Sequence, residues 1–530
     1  MKAFLMYRDR DFDPQRLLAR RERELRYRRG NEQELELRQA LPWNQAALRQ
    51  DLGVDILCHA MAGDDQFLFE VACVAILSSV ADVDTIRYRQ RVYADCSKNA
   101  QIVRQMYQLA IEGIECERKG YWSFYDRYPS GILHRAVEVL QMFVEVLKRL
   151  RRLTDQHGHR FASEGFSTLL SMLQAELSDD YFNEIETHLN TLKFRSGVLI
   201  SAQLGKANKG QNYFLRRPHR DDRGWLTKLL SEKPLSYSFQ LHPRDEAGAQ
   251  ALSRLNDRGV NLVANALAQS TDHILSFFQM LRTELAFYIG CLNLHSRLAE
   301  RGAPICFPVP HQAGRRKLLF TNLHDASLAL STDKPIVGND INADRKDIVI
   351  ITGANTGGKS TFLRSIGLAH LMMQAGMPVA AESFVAEVSD GIVTHYKREE
   401  DATMESGKWD EELRRMSEIV QNIRPNSLML FNESFGSTNE REGSEIATQI
   451  VTALLDREVK VLFVTHLYHF AQSFFARRAA RAMFMRAERR PDGSRPFKLI
   501  EAEPLQTSYG MDLYSKFFGG EHERQQLGSH

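Results

Sequence analysis

Cysteine is scarce in this chain, and long apolar runs are absent. Six of the 530 residues are cysteines, and no two of them form a C-x-x-C pair. This pattern is typical of reduced thiols and excludes both a disulfide framework and a zinc site built from paired cysteines. No apolar run reaches about 18 residues, so we expect no membrane-spanning helix. The first residues are charged too early for a secretory signal, so we expect a cytoplasmic protein, nucleoid-associated if it is bacterial.

A strong net charge is also missing, so composition alone demands no polyanionic partner. The formal net charge is only +2, but basic residues cluster at residues 8–29, 148–152 and 216–223. Such clusters are often solvated faces, yet the third lies beside Tyr213 and Trp225, and basic residues next to aromatic ones suit a phosphate backbone. The third cluster supplies the candidate nucleic-acid contacts, which are Arg216, Arg217, Arg220 and Arg223.

Hydrophobic periodicity divides the chain. Two apolar stripes, at 133–147 and 274–288, step by three and four residues and predict long packed helices. Glycine and proline break the pattern at about 205–248, which predicts an insertion at the far end of a helical pair. Later, short apolar strands alternate with helices. The predicted domains are a basic N-terminal segment at 1–60, a helical core at 61–315, an α/β domain at 316–520 and a loose tail at 521–530.

A complete phosphate-binding loop of the pattern G-x-x-x-x-G-K-[ST] spans residues 353–360. An apolar run precedes it and a helix-like segment follows, which is the strand–loop–helix setting that the motif needs. Backbone N–H groups and the helix N-terminus would bind phosphate, Lys359 would reach the β- and γ-phosphates of ATP, and Ser360 would ligate Mg²⁺. The predicted nucleotide-binding residues are Gly353, Ala354, Asn355, Thr356, Gly357, Gly358, Lys359, Ser360 and Thr361.

Two further apolar runs end in residues that suit nucleotide chemistry. The run 428–431 leads into Asn432 and Glu433, and the run 461–464 leads into Thr465 and His466. An acidic residue at a strand tip can orient or deprotonate the attacking water, while its neighbour holds Mg²⁺. We therefore predict Glu433 as the catalytic base, Asn432 as a metal ligand and His466 as a γ-phosphate sensor.

Taken together, these motifs resemble the ATPase domain of the MutS mismatch-repair family. The resemblance rests on the loop at 352–361, the strand and Ser/Thr-rich loop at 430–439, the histidine switch at 464–466 and the closing motif at 506–510. It is specific over about 320–515 and loose over about 60–310, where the helices resemble lever arms.

The resemblance implies roles for three more residues. Val337-Gly-Asn-Asp340 is similar to the family's adenine-cradling loop, which implies Val337 and Asn339 as nucleotide contacts. Ser406 falls where the family places a signature serine that completes the neighbouring subunit's site. The resemblance therefore implies ATP and Mg²⁺ as cofactors and a homodimer as the working form.

The chain also departs from the family pattern. The residues ahead of the helical core are too few for a mismatch-recognition domain, and no C-terminal nuclease domain is expected. Asn432 replaces the usual aspartate, so a charge near the metal is lost and Mg²⁺ binding should weaken. Glu433 is retained, so we expect ATP hydrolysis, slowed by Asn432.

We therefore expect a multidomain protein, with an all-α core and lever region that carries a clamp-like insertion, followed by an α/β phosphate-loop ATPase domain of the ABC/MutS type. The implied function is ATP binding and hydrolysis at a dimer interface, coupled to clamping on duplex or branched DNA in repair or recombination without mismatch reading. Two alternatives stay open. One is a MutS-like ATPase that binds a ribosome or RNA, and the other is a nucleotide-driven structural clamp, which should have a longer coiled coil.

Overall fold

Helices dominate the first half of the described chain, and short strands alternate with helices in the second half. In this computed structural model, the described residues are 1–14, 16–17, 41–119, 128–195, 197–216, 237–354, 357–398, 407–477, 480–490 and 494–505. None of the helices among these residues is both long and apolar enough to cross a membrane. The chain divides into two units. Unit 1 comprises Met1–Ala3, Gln101–Ala162 and Phe166–Arg282, and unit 2 comprises Phe4–Ala100, Ser163–Gly165 and Thr283–His530.

Several helices begin where an aspartate or asparagine side chain accepts an N–H of the first turn, as Asp82 does from Thr85. The helices are α1 (Gln45–Leu52), α2 (Val54–Ala62), α3 (Gln66–Leu77), α4 (Val83–Lys98), α5 (Ala100–Lys119), α6 (Pro129–His157), α7 (Glu164–Glu176), α8 (Asp179–Thr191), α9 (Glu246–Glu300), α10 (Ala326–Ser331), α11 (Lys359–Ala375), α12 (Lys408–Asn422), α13 (Glu440–Asp456) and α14 (Tyr468–Ala476). Two short 3₁₀ helices are Gly158–Arg160 and Lys206–Asn208.

The strands of the described residues form three sheets. They are β1 (Ile200–Leu204), β2 (Gly210–Leu215), β3 (Val309–His311), β4 (Leu318–Leu323), β5 (Asn339–Asn342), β6 (Ile348–Thr352), β7 (Ser383–Glu387), β8 (Ile392–Tyr396), β9 (Leu428–Asn432), β10 (Lys460–Val464), β11 (Ala482–Ala487) and β12 (Leu499–Glu501). The sheet orders are β1-β2, β12-β11-β6-β10-β9-β8 and β3-β7-β4-β5.

Unit 1 contains the helical stripe that the sequence predicts at 133–147. Its apolar residues are buried along α6, as apolar positions at this spacing lie on one helix face. Gly113 of α5 allows a close approach, because a Cβ there would lie 2.5 Å from the ring of Phe278 on α9. The antiparallel pair β1–β2 starts at Ile200, ahead of the predicted insertion. The clamp-like role of this segment stays a prediction.

Three of the basic residues at 148–152 in unit 1 are paired with acidic side chains. Lys148 pairs with Glu186, and Arg149 pairs with Glu112. Arg151 pairs with Asp155, one turn further along the same helix. Such ion pairs are typical of an ordinary solvated helix face.

Unit 2 contains the six-stranded sheet, whose strands β8, β9, β10, β6 and β11 run parallel. Val464 of β10 is in register with both Asn432 of β9 and Ile351 of β6. The carboxyl ends of these three strands therefore meet at one edge of the sheet. The helices α12, α13 and α14 contribute to the apolar core beneath it, with Met416, Val451 and Phe470.

The N-terminal segment from Phe4 onward belongs to unit 2 as well. Leu5, Met6 and Phe12 have their backbone N–H groups bonded to the buried Glu284 carboxylate of α9, at 2.9, 2.7 and 2.8 Å. Arg89, which is fully buried, donates to the carbonyl oxygens of Met6 and Ala375. Since Ala375 ends α11, this arginine connects the N-terminal segment to the helix that begins at the phosphate loop.

Helix α1 packs against β8 and α11. The Asn44 side chain, directly before it, donates to the carbonyl oxygen of Ile392 at 2.9 Å, and Asp51 pairs with Arg398 at 2.8 Å. Residues of the predicted basic N-terminal segment thus pack against β8, at the edge of the parallel sheet. The predicted domains stay predictions, although the boundaries at 60 and 315 do not coincide with the division into units.

Candidate nucleotide site

The glycine loop lies where a buried strand gives way to a helix. All five residues of β6 are buried, and α11 begins at Lys359. Gly353 and Gly358 have φ angles of +117° and +86°, which side chains with a Cβ rarely adopt. A Cβ at Gly353 would also lie 3.0 Å from the backbone nitrogen of Ala487. Both glycines are therefore required by the loop's backbone.

Lys359 is the central cation of the site and is only 5% exposed. Its Nζ donates to the carbonyl oxygens of Gly353 and Ala354, both at 3.0 Å. Glu433 Oε1 lies 3.7 Å away. Burial lowers the pKa of Lys359, whereas the Glu433 carboxylate raises it. The ammonium is thus held beside the glycine loop, where a phosphate oxygen could become its anionic partner.

Ser360 and Asn432 form a direct contact at the start of α11. Ser360 Oγ donates to Asn432 Oδ1 at 2.9 Å. The two side chains offer neutral oxygens, and Mg²⁺ in such sites is usually bound through one or two carboxylates together with substrate phosphates. The pair fits one side of a Mg²⁺ ion that takes its other ligands from phosphate and water, with less charge than a serine–aspartate pair would supply.

Glu433 and His466 lie next to each other at the sheet edge. Glu433 Oε1 is 3.0 Å from His466 Nε2, and the Glu433 backbone N–H donates to the Val464 carbonyl oxygen at 2.9 Å. Glu433 has a φ of +55°, an uncommon backbone conformation for a residue other than glycine. The carboxylate contacts both His466 and Lys359, so it can accept a proton close to the loop.

A buried network fixes the residues that follow Glu433. Ser434 Oγ donates to the His395 carbonyl oxygen at 2.6 Å, and His395 Nδ1 lies 2.8 Å from the same hydroxyl. Glu412 of α12 accepts from the Phe435 N–H at 2.6 Å. Burial lowers the pKa of His395 to about 3, so its ring is neutral at physiological pH. This network fixes the backbone directly after Glu433, and it was not predicted from the sequence.

Seven predicted residues line one cavity of about 430 Å³, which is within the size range of ligand sites. The cavity is also lined by Lys397, which was not predicted from the sequence. The only available signal for Lys397 was its place directly after the apolar strand β8. The lining residues are Gly357, Gly358, Lys359, Ser360, Thr361, Lys397, Glu433 and His466.

The predicted adenine contacts have other partners in the structure. The Asn339 amide donates to the Phe497 carbonyl oxygen at 3.2 Å and accepts from the Leu499 N–H at 2.8 Å. Phe497 in turn lies against Gly358, 3.5 Å from the place that a Cβ on this glycine would take. Asn339 therefore positions the segment that borders the phosphate loop, while Val337 is partly exposed. Their contact with adenine stays a prediction.

Several predicted residues lie outside the described part of the chain. They are Asn355, Thr356, Ser406, Arg217, Arg220, Arg223 and the motif at 506–510. Arg216, which is described, directly follows β2. Its N–H donates to the Leu199 carbonyl oxygen, and its Nε donates to Ser201 Oγ at 2.8 Å.

Two family models match the chain. Residues 81–301 match the MutS2 N-terminal domain, and residues 349–518 match MutS domain V. The helical region and the phosphate-loop region thus match domains of one family. The chain belongs to the MutS family, as its motifs predict.

Individual relatives agree with this assignment. The chain is 33% identical over 402 residues to endonuclease MutS2 of Streptococcus uberis, which covers 74% of this chain and 49% of that protein. It is 33% identical over 192 residues to DNA mismatch repair protein MutS of Porphyromonas gingivalis, covering 34% and 21%. It is 30% identical over 200 residues to endonuclease MutS2 of Lactococcus lactis, covering 33% and 26%. The chain spans at most about half the length of these relatives.

Proposed function

We propose that this protein is a DNA-binding ATPase of the MutS family, which hydrolyses ATP at a dimer interface and couples the nucleotide state to its grip on duplex or branched DNA. One observation carries the proposal. Lys359, Glu433 and His466 lie together in one cleft, where three neighbouring parallel strands end beside a glycine loop. Such an edge is the usual place for a nucleotide in an α/β sheet.

Phosphate binding follows from the loop and the helix. The N-terminus of α11 carries a partial positive charge and unpaired N–H groups. Lys359 adds a full positive charge. When ATP binds, its ammonium gives up the contact with Glu433 and pairs with a phosphate oxygen instead. Ser360 and Asn432 would hold Mg²⁺, which would neutralise phosphate charge.

Glu433 is the proposed base. Once Lys359 pairs with phosphate, the Glu433 carboxylate keeps its contact with His466 and can orient or deprotonate a water molecule opposite the γ-phosphate. The buried contacts of Ser434 and Phe435 fix the backbone on its C-terminal side. His466 holds the carboxylate and is positioned to respond to the γ-phosphate.

We also propose a dimer and direct contacts with DNA. Ser406 would complete the partner's site, which makes ATP a link between two subunits. Arg216, Arg217, Arg220 and Arg223 would contact phosphate oxygens of a duplex. The names of the relatives, which refer to DNA mismatch repair and to an endonuclease, favour DNA over RNA and a role in repair or recombination.

A comparison of ATPase rates tests this function. Turnover is measured with duplex DNA, branched DNA, single-stranded DNA, structured RNA and ribosomes at equal nucleotide concentration, and the Lys359→Ala variant controls for contaminating ATPases. We expect duplex or branched DNA to stimulate turnover more than RNA does. Stimulation by ribosomes alone would assign the clamp to translation instead. The absence of both ATP binding and turnover contradicts the proposal.

A further inference from the structure

Lys397 enters the nucleotide cleft from a strand that the sequence motifs do not include. It directly follows β8, and its backbone N–H donates to the Asn432 carbonyl oxygen at 2.9 Å. Its side chain lines the cavity together with Lys359, Ser360 and Glu433. The Nζ lies beside Gly436, 4.0 Å from the place that a Cβ on this glycine would take. The ammonium thus lies along the loop that carries Glu433.

The charges that line the cavity are unusual for a site that relies on a metal ion. The described lining residues include two lysines and one carboxylate, that of Glu433. That carboxylate already contacts Lys359 and His466. The remaining oxygen ligands for a cation, from Ser360 and Asn432, are neutral and are bonded to each other. The lining therefore has more positive charge available for a triphosphate, and less negative charge available for Mg²⁺, than a site with an aspartate at position 432.

We propose that Lys397 is a further phosphate ligand and that this protein binds ATP without a divalent cation. In sites with a carboxylate metal ligand, Mg²⁺ supplies positive charge next to the phosphates. Here Lys397 supplies part of that charge. This inference rests on the proposed function. The ammonium of Lys397 contacts the β- or γ-phosphate from the side of Gly436. Lysine suits this role, since it is a compact point charge on a flexible stem.

Equilibrium binding of ATP tests the inference without any measurement of turnover. Dissociation constants for ATP and AMP are measured with excess Mg²⁺ and with excess EDTA, for the wild type, Lys397→Ala and Lys397→Arg. Lys98→Ala serves as the matched control, because Lys98 is an exposed lysine of unit 2 outside the cavity. AMP lacks the phosphates that Lys397 is proposed to contact.

We expect the wild type to keep measurable ATP affinity in EDTA. Loss of a hydrogen bond to a charged group costs enough to weaken binding about tenfold or more, so Lys397→Ala should show that loss in EDTA and a smaller one with Mg²⁺. Lys397→Arg and Lys98→Ala should resemble the wild type, and AMP binding should not respond. Equal ATP affinities of the wild type and Lys397→Ala in EDTA, or no wild-type binding in EDTA, overturn the inference alone. Absence of wild-type binding even with Mg²⁺ overturns the proposed function as well.

Discussion

Ser360 Oγ donates a hydrogen bond to Asn432 Oδ1 over 2.9 Å. The bond joins the first turn of α11 to the last residue of β9, and it brings together the two residues that the sequence assigns to the metal. An aspartate at position 432 would accept the same bond and would add a negative charge. In the proposed Mg²⁺ site, the hydroxyl–amide pair would therefore keep the shape of a serine–aspartate pair without its negative charge.

Asn432→Asp should restore that attraction. We expect the Mg²⁺ concentration that supports half-maximal ATP turnover to fall about tenfold, because one carboxylate is added next to the ion. A Mg²⁺ titration of turnover measures this. Asn342→Asp makes the same change in charge on an exposed residue of β5 and should leave the titration unchanged. An unaltered titration of Asn432→Asp would show that this side chain does not face the metal.

A shared active site would be revealed by mixing two inactive variants. Ser406→Arg should disable the site of the partner subunit, and Lys359→Ala should disable the subunit's own site. In a mixed dimer one composite site stays intact, so mixing should recover part of the ATPase activity that each variant lacks alone. Turnover is measured before and after mixing, with heterodimers verified by differently tagged subunits. No recovery from verified heterodimers would indicate a self-contained site.

Charge reversal at the arginines of residues 216–223 should weaken the grip on DNA. Replacing Arg216, Arg217, Arg220 and Arg223 by Glu removes several counterion-releasing contacts, so we expect affinity to fall on the order of a hundredfold at modest salt and its salt dependence to flatten. Fluorescence anisotropy with labelled duplex and branched DNA over a salt series measures both effects. ATPase without DNA should survive as the internal control. Wild-type binding by this variant would move the assignment to the arginines of residues 8–29.

Glu284 should make stability depend on pH. Burial raises its pKa from an ordinary 4.5 to about 7, so between these values the folded chain keeps a proton that the unfolded chain has lost. Stability should therefore fall as pH rises through this window, by up to about 3 kcal/mol from this residue.

Glu284→Gln removes the titration and leaves an amide facing backbone N–H donors. Its thermal midpoint should lie below that of the wild type, with a gap that is larger near pH 5 than near pH 8. The matched control is Glu300→Gln, which changes an exposed glutamate of the same helix. A gap that does not change with pH contradicts this account of Glu284.

The sequence predicts those parts of the fold that local patterns encode. The apolar runs at 348–351, 428–431 and 461–464 are adjacent parallel strands, because uninterrupted apolar runs suit strands that are buried on both faces. The stripes at 133–147 and 274–288 lie in helices, because apolar residues spaced by three and four fall on one face of a helix. The position of Lys359, Glu433 and His466 at one edge follows from strand direction alone.

Contacts between distant segments could not be predicted in this way. The N-terminal residues are held by backbone N–H bonds to Glu284, more than 270 positions away in the chain, and no side-chain pattern signals such bonds. Lys397 was missed because β8 carries no recognised motif. The amide of Asn339 binds backbone groups of Phe497 and Leu499, which a motif comparison cannot reveal. These features were not predicted because they are polar contacts between distant segments, made by short stretches without periodicity.

The most direct measurement is ATP binding and ATP turnover for the wild type, Lys359→Ala and Glu433→Gln side by side. Loss of the buried ammonium should remove both properties in Lys359→Ala. Glu433→Gln keeps the size of the side chain and loses its basicity, so it should bind ATP as the wild type does while turnover falls about a hundredfold or more. Turnover of Glu433→Gln at the wild-type rate, or turnover of Lys359→Ala near it, would contradict the assignment of this cleft as the ATPase site.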